Sequence, residues 1–351
     1  MPFRCRFNHI MKLQTLHILY TTQNETFSGT IPISFEVFGL PLGEAPIVLV
    51  NHALTGNSSV TEENGWWDQL IGDEKCIDTK HYTVLAFNIP GNGYDGFLLE
   101  NPEAFSVYDV AKLFLLAINQ LKIEKIHAVI GGSLGGSIAW QMAVLLPNLF
   151  ENIIPVATDW KATDWLLANC RVQKQILDNS ENPIHDARIH AMTLYRTPES
   201  LKQKFNRSIH EKLHNFNVES WLLHHGKKLQ TRFQLKAYKV MNHLLTTVNI
   251  AKETGNFLSA VKNIQGNVHL IGVDTDLFFT NKEIKDTYQI YKTIKSNVYY
   301  HEIHSIHGHD AFLIEFEQLQ TFLQPIFQKK NTNYEHHNYR QKNTRETTSV
   351  N

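Results

Sequence analysis

The chain has 351 residues, with 33 Lys and Arg against 34 Asp and Glu and a formal net charge of −1. That balance leaves no basic field to hold a phosphate backbone and argues against nucleic acid as the main partner; no apolar run reaches the length of a membrane span. With 42% hydrophobic and 19% charged residues, the composition is that of a globular protein, long enough for one large domain with an insertion or for two domains.

The first twenty residues, "MPFRCRFNHIMKLQTLHILY", carry basic side chains but no uninterrupted apolar core with a small-residue cleavage site. No secretory signal is expected, and Met11 is a second candidate start. Residues 1–29 read as an N-terminal extension and first edge segment. From about residue 30 the patterns alternate. Strand candidates are "PISFEVFG", "PIVLVN", "YTVLAFN", "IHAVIG", "NIIPVAT", "NVHLIGV" and "NVYYHEIHS", several of them continuous apolar runs of the kind buried on both faces. Val110, Leu113, Phe114, Ala117, Ile118 and Leu121 follow helical spacing and predict a helix covering one face of the sheet. Such alternation predicts an α/β fold with a mostly parallel sheet. It stops at residues 159–258, where "DWKATDWLLANCRVQKQIL", "SLKQKFNRSIHEKL" and "VESWLLHHGKKLQTRFQLKAYKVMNHLLTTV" read as helices. The expected organisation is therefore a core of residues 30–158 and 259–328 around a helical insertion. Residues 329–351 are polar without a periodic apolar face and read as a disordered tail. Cys5, Cys76 and Cys170 show no metal or redox spacing and fit reduced thiols in a cytoplasm.

Gly131-Gly132-Ser133-Leu134-Gly135 is a G-x-S-x-G match between the strand "IHAVIG" and the helix "SIAWQMAVLLP". A strained strand-to-helix turn with small neighbours displays a serine hydroxyl, and the following helix aims N–H groups at charge developing there. Ser137 lies in a poorer second match and reads as packing or capping. A Walker loop would need Gly-Lys-Ser/Thr, and there is no lysine here; a dinucleotide loop would need G-x-G-x-x-G, preferably at the first strand, whereas this motif sits at about the fourth. Serine attacks only when a base takes its proton and an acid orients the base. The late strands offer both, acids at Asp274 and Asp276 in "DTDLFF" and bases at His307 and His309 in "IHGHDAF". Nineteen histidines raise a rival, a metal cluster of His301, His304, His307 and His309, but the carboxylate or cysteine spacing is missing and no metal is expected. Oxyanion donors are expected from the backbone N–H groups of Leu134 and of Leu54, the latter in "VLVNHALTGNSS". His52 in that loop precedes Ser133 and reads as structural.

Together "NHALTGNSS", "NGWWDQLIGDEKCIDTKHYTVLAFN", "GGSLGGSIAW" and "HGHDAFLIE", in that order, resemble the homoserine O-acetyltransferase family. The insertion does so too, through "LYRTPESLKQKFNR" and "FNVESWLLHHGKKLQTRFQLKAYKVMNHLL", and the resemblance spans residues 30–325. It implies an α/β-hydrolase fold with an inserted helical cap and a cytoplasmic homodimer. It also implies two-step transfer from acetyl-CoA, as co-substrate, to L-homoserine without a tightly bound cofactor. By the same resemblance Ser133 is the nucleophile, Asp276 the triad acid and His309 the base. Asp310 would hold the substrate amino group, with Tyr195 nearby. The sequence departs from the family pattern twice. Where an arginine would pair with the substrate carboxylate, gap-free counting reaches Lys174, with Arg171 one turn earlier. "NIPGNGYDGFLLENP" replaces a glycine-rich stretch after the third strand. Water, L-serine and succinyl-CoA stay open as alternative substrates, an esterase or thioesterase being the hydrolytic version, and a non-catalytic scaffold is the remaining rival.

Overall fold

The computed structural model describes residues 13–63 and 65–327; the first twelve residues, with Cys5 and Met11, and the polar tail from residue 328 lie outside the described residues. The chain opens with a hairpin of β1 (Gln14–Thr21) and β2 (Ser28–Gly39). It continues through β3 (Ile47–Asn51), the short pair β4 (Ile71–Gly72) and β5 (Ile77–Asp78), and β6 (Thr83–Phe87). Then come β7 (Ile126–Gly132), β8 (Phe150–Val156), β9 (Asn267–Val273) and β10 (Val298–Ile303). Eight strands form one sheet in the order β1-β2-β6-β3-β7-β8-β9-β10, parallel from β6 onward with β1 and β2 antiparallel at one edge. The strand β1 lies in the stretch read as the first edge segment and carries no strand pattern of its own, because an edge strand packs weakly: of its eight residues only Ile18 is buried. It is tied in by polar contacts, since the Tyr20 hydroxyl and the Gln23 N–H both donate to Asp109.

The apolar runs behave as strands covered on both sides. In β3, Ile47 and Leu49 join one core layer while Val48 and Val50 join the other. The first layer holds α1 (Val107–Gln120) and α2 (Leu134–Leu145); the second holds the segment around Trp67 and the C-terminal helix. α1 begins at a capping box in which Ser106 and Asp109 satisfy each other's backbone N–H groups. Because β6 and β7 lie on opposite sides of β3, the strand order reverses beside β3 and β7. A crevice opens at the carboxyl ends of strands at such a switch point. The loops after β3 and β7 meet there.

Between β8 and β9 the chain runs through α3 (Asp164–Asn179), α4 (Pro183–Tyr195), α5 (Pro198–Phe205), α6 (Asn217–Gln230), α7 (Leu235–Thr246) and α8 (Phe257–Val261). Two stretches add detail to the helix-rich reading. In the helix-rich stretch of residues 200–213 the helix itself stops at Phe205, where Asn206 adopts the left-handed conformation that ends helices (φ 40°). Residues 218–248 hold two helices, broken at Thr231–Gln234. After β9 come α9 (Asn281–Tyr291) and, past β10, α10 (Phe316–Phe327). None of the described helices is long and apolar enough to cross a membrane.

Candidate active site

Ser133 sits between β7 and α2 with φ 54° and ψ −125°, a left-handed conformation that costs a non-glycine residue about 1–3 kcal/mol. Its N–H is anchored on the Val156 carbonyl at 2.8 Å. Two glycines permit the turn by their lack of a side chain. A Cβ on Gly131 would lie 2.4 Å from the Gly135 carbonyl carbon, and one on Gly135 would lie 2.2 Å from the Asn51 carbonyl oxygen. The glycine pattern therefore lets β3, β7 and α2 converge under the serine.

The other two members arrive from the far strands. His309 lies in a 3-10 turn, Gly308–Leu313, after β10, and Asp276 follows β9. His309 Nε2 is 2.9 Å from Ser133 Oγ, and His309 Nδ1 is 2.7 Å from Asp276 Oδ2. An ionised carboxylate accepts only, so Nδ1 carries the ring proton and Nε2 faces the serine hydroxyl as acceptor. The second oxygen of Asp276 accepts the N–H groups of Phe278 and Phe279 at 2.7 and 3.0 Å. All three side chains are buried. Phe278, Phe279, Phe312 and Tyr195 surround the imidazole, with ring centroids 5.1–5.9 Å away.

The remaining candidates separate cleanly. Asp274 turns away, accepting from Ser305 N–H at 3.0 Å with His304 Nδ1 3.1 Å distant. His307 is 3.0 Å from the Ser200 hydroxyl and 3.2 Å from Arg196. The four histidines weighed as a metal cluster do not converge. Among the described residues the only metal-sized grouping is Asp274, Glu302 and His304, and Lys285 and Tyr300 already occupy Glu302. Ser137 bonds the Thr158 hydroxyl at 2.7 Å, a packing role.

Leu134 opens α2, where first-turn N–H groups have no partner inside the helix. Leu54 is buried in the loop after β3, and among the described residues its N–H has no acceptor. His52 fixes this loop. Its Nε2 accepts the Ile89 N–H at 3.0 Å, so its Nδ1 proton goes to the Ala53 carbonyl at 2.7 Å. Burial holds its pKa down at about 4, keeping it neutral. The divergent stretch after β6 supplies the rest of the clamp: Asn92 also reaches His52 Nε2, and Asn88 accepts the Ser58 N–H.

Toward the insertion, Asp310 Oδ2 accepts from Arg196 Nε at 2.9 Å, a partner absent from the expected set. Burial drives the Tyr195 hydroxyl far above its ordinary range, so it stays protonated. Lys174 and Arg171 are both exposed on α3, and Lys174 pairs outward with Asp178 at 3.2 Å and with Glu103 at 3.8 Å. The structure therefore corrects the expected carboxylate anchor: α3 turns Cys170 and Gln173 inward and these two cations out. The cation that does approach is Arg188 of α4, whose guanidinium lies 5.5 Å from the centroid of the Tyr195 ring. It has no carboxylate partner among the described residues. A cavity of about 10 Å³ lies between Leu54, Gln173, Tyr195, Tyr238 and Phe278, room for about one water. Cys170 also lines it, but burial pushes its thiol up to about 12, so it offers no thiolate at neutral pH.

A buried serine on a strained turn, with a histidine and an acid from later strands, defines the α/β-hydrolase class, and residues 46–239 match the family model described as alpha/beta hydrolase fold. The chain is 33% identical to the homoserine O-acetyltransferase of Cyclobacterium marinum, over 92% of this chain and 100% of that protein. It is 28% identical to that of Chloroherpeton thalassium, over 87% of this chain and 86% of that protein. The chain belongs to the homoserine O-acetyltransferase family of α/β-hydrolase-fold acyltransferases. Among solved structures, the homoserine O-acetyltransferase from Bacillus anthracis superposes with a TM-score of 0.82 at 21% identity, covering 92% of this chain and 99% of that one. Esterase E22 superposes with 0.80 at 16% identity, covering 91% of this chain and 100% of that one. These two likenesses concern the fold alone.

Proposed function

We propose that the protein transfers an acetyl group from acetyl-CoA to the γ-hydroxyl of L-homoserine, giving O-acetyl-L-homoserine and CoA. The observation that carries this reading is the unbroken chain Asp276–His309–Ser133 in an aromatic enclosure, in a member of this family. His309 takes the Ser133 proton as Oγ attacks the thioester carbonyl. The oxyanion is held by the Leu54 and Leu134 N–H groups, each contributing about 2.7–4 kcal/mol. The tetrahedral intermediate expels the CoA thiolate, which takes the proton from His309. The homoserine hydroxyl then gives its proton to His309 and attacks the acetyl-serine; collapse returns the proton to Ser133 and releases the ester.

The acceptor is read from charge. Arg188, a guanidinium without a carboxylate beside Tyr195, suits the amino-acid carboxylate in bidentate geometry. The Asp310 oxygen that Arg196 does not engage suits the ammonium. The free thiols Cys76 and Cys170 support a cytoplasmic setting. Exposed Trp165, Val172 and Leu223 on the inserted helices support a homodimer joined there, which light scattering checks directly. Hydrolysis is the competing reading, since the same relay can pass the acyl group to water and the fold does not decide between them. Incubation with acetyl-CoA, with and without L-homoserine, separates them. Transfer requires CoA release that depends on homoserine together with a product of the ester's mass; release indifferent to homoserine means hydrolysis.

A further inference from the structure

The insertion is charged very differently from the whole. Residues 196–236 carry nine Lys and Arg against three Glu, in a chain whose net charge is −1. On α6, Trp221, His225 and Lys228 recur at intervals of four and three residues, and Arg232 follows four later in the turn after the helix. That spacing keeps to one helical face. Trp221 and His225 are in ring contact, with centroids 4.4 Å apart. The Arg196 guanidinium and the Lys204 ammonium lie 6.0 and 5.1 Å from the Trp221 ring centroid. Burial, reinforced by Arg188, His224, Lys228 and Arg196 around it, holds His225 down at about 4. Burial and the neighbouring Arg188 likewise lower Arg232, whose Nη1 donates to the Thr55 carbonyl at 3.0 Å. The row of cations thus runs from α5 along α6 to the residue next to Leu54.

Few carboxylates answer it. Asp310 pairs with Arg196, Glu219 caps the Phe216 N–H, and Asp186 is taken by His185 and Ser180. Among the described residues Arg188, Lys228 and Arg232 have no carboxylate partner. Grouped like charges repel one another, and an anion bound among them relieves that repulsion. The acceptor cannot do so, because an amino acid brings one carboxylate and one ammonium. A donor bearing a diphosphate and a phosphate monoester can.

We propose that the stripe His225, Lys228 and Arg232, with His224 beside it, binds the phosphate-bearing end of the CoA thioester and leads its acyl end to the Leu54 loop. This rests on the acyl-CoA-dependent transferase reading above. The stripe selects the donor by its charged tail, so a thioester lacking that tail loses the advantage.

The test compares wild type with Lys228→Glu, Arg232→Gln and Arg232→Lys. One readout is the ratio of kcat/KM for acetyl-CoA to that for S-acetyl-N-acetylcysteamine; the other is calorimetric binding of CoA itself at low and high salt. Lys228 is exposed, so its reversal leaves packing intact. The expected result is a fall of about ten-fold or more in the ratio and in CoA affinity for Lys228→Glu and Arg232→Gln. Arg232→Lys should recover part of the loss, and CoA binding to Lys228→Glu should depend less steeply on salt. Variants that bind CoA as tightly as wild type and keep its ratio overturn the proposal, as does a wild type that binds no CoA. A protein that binds CoA through these residues but passes the acyl group to water supports the donor stripe and refutes only the homoserine reading.

Discussion

The strand-end centre and the inserted helices solve opposite problems with charge. At the centre every polar atom of the relay has a partner: Asp276 is satisfied by two N–H groups and His309, and His309 by Asp276 and Ser133. In the insertion, cations stand without carboxylates, at Arg188, Lys228 and Arg232. A satisfied relay is set for chemistry before substrate arrives, whereas unanswered charges, on the proposed reading, gain their partners from ligands. The proposed function therefore divides the work, with bond making at the sheet and the choice of substrate at the helices.

The contrast breaks most sharply at the serine. Ser133→Ala should lower kcat by on the order of 10⁵-fold or more, as loss of a triad nucleophile does; near-normal turnover would place the chemistry elsewhere. Arg188→Ala should instead raise the homoserine KM about 10–100-fold, the worth of a charge-assisted bidentate contact, with a smaller change in kcat. Lys174→Ala and Arg171→Ala should each change that KM by less than about two-fold, since exposed pairs contribute little. Steady-state kinetics with homoserine varied distinguishes these cases, and a large effect at Lys174 would restore the anchor expected from counting.

The core was legible because each of its signals is local. Unbroken apolar runs mark buried strands, and G-x-S-x-G between a strand and a helix needs only five residues. The acid and base slots follow from chain order, although choosing Asp276 over Asp274 and His309 over His307 rested on resemblance. The insertion offered less. Gap-free counting against the family pattern reached Lys174, but helical phase decides direction: Leu166, Cys170, Gln173 and Leu177 form the buried stripe of α3, and Lys174 lies at its edge. Arg188 had no local mark, being one of 33 basic residues on a helix buried from several sides. The ion pair of Arg196 with Asp310 joins positions 114 residues apart, which no spacing rule connects.

Smaller effects sharpen the scaffold side of the comparison. His52→Phe leaves the Ile89 N–H buried without an acceptor, which should cost about 1–3 kcal/mol in chemical denaturation and lower kcat through a loosened Leu54 loop. His269 is buried between the Tyr299 and His301 rings, and among the described residues neither of its ring nitrogens has a hydrogen-bond partner. Burial, with His301 beside it, lowers its pKa to about 4 from 6.5. Between those values the unfolded chain binds the proton more readily, so stability falls as pH drops. His269→Phe should remove that contribution, on the order of 1–2 kcal/mol between about pH 7.5 and about pH 5. Asp159, pushed up to about 7 by burial, acts in the opposite sense in both proteins. The informative quantity is therefore the difference between their thermal-unfolding profiles; parallel profiles would remove His269 from the acid response.

The central claim is that Ser133 holds an acyl group for homoserine rather than for water. Mass spectrometry of protein mixed with acetyl-CoA alone tests it most directly. The account predicts one added acetyl group on the peptide containing Ser133, persisting in buffer and discharged on addition of L-homoserine as O-acetyl-L-homoserine appears. No label at Ser133, or a label lost equally fast with and without homoserine, contradicts it.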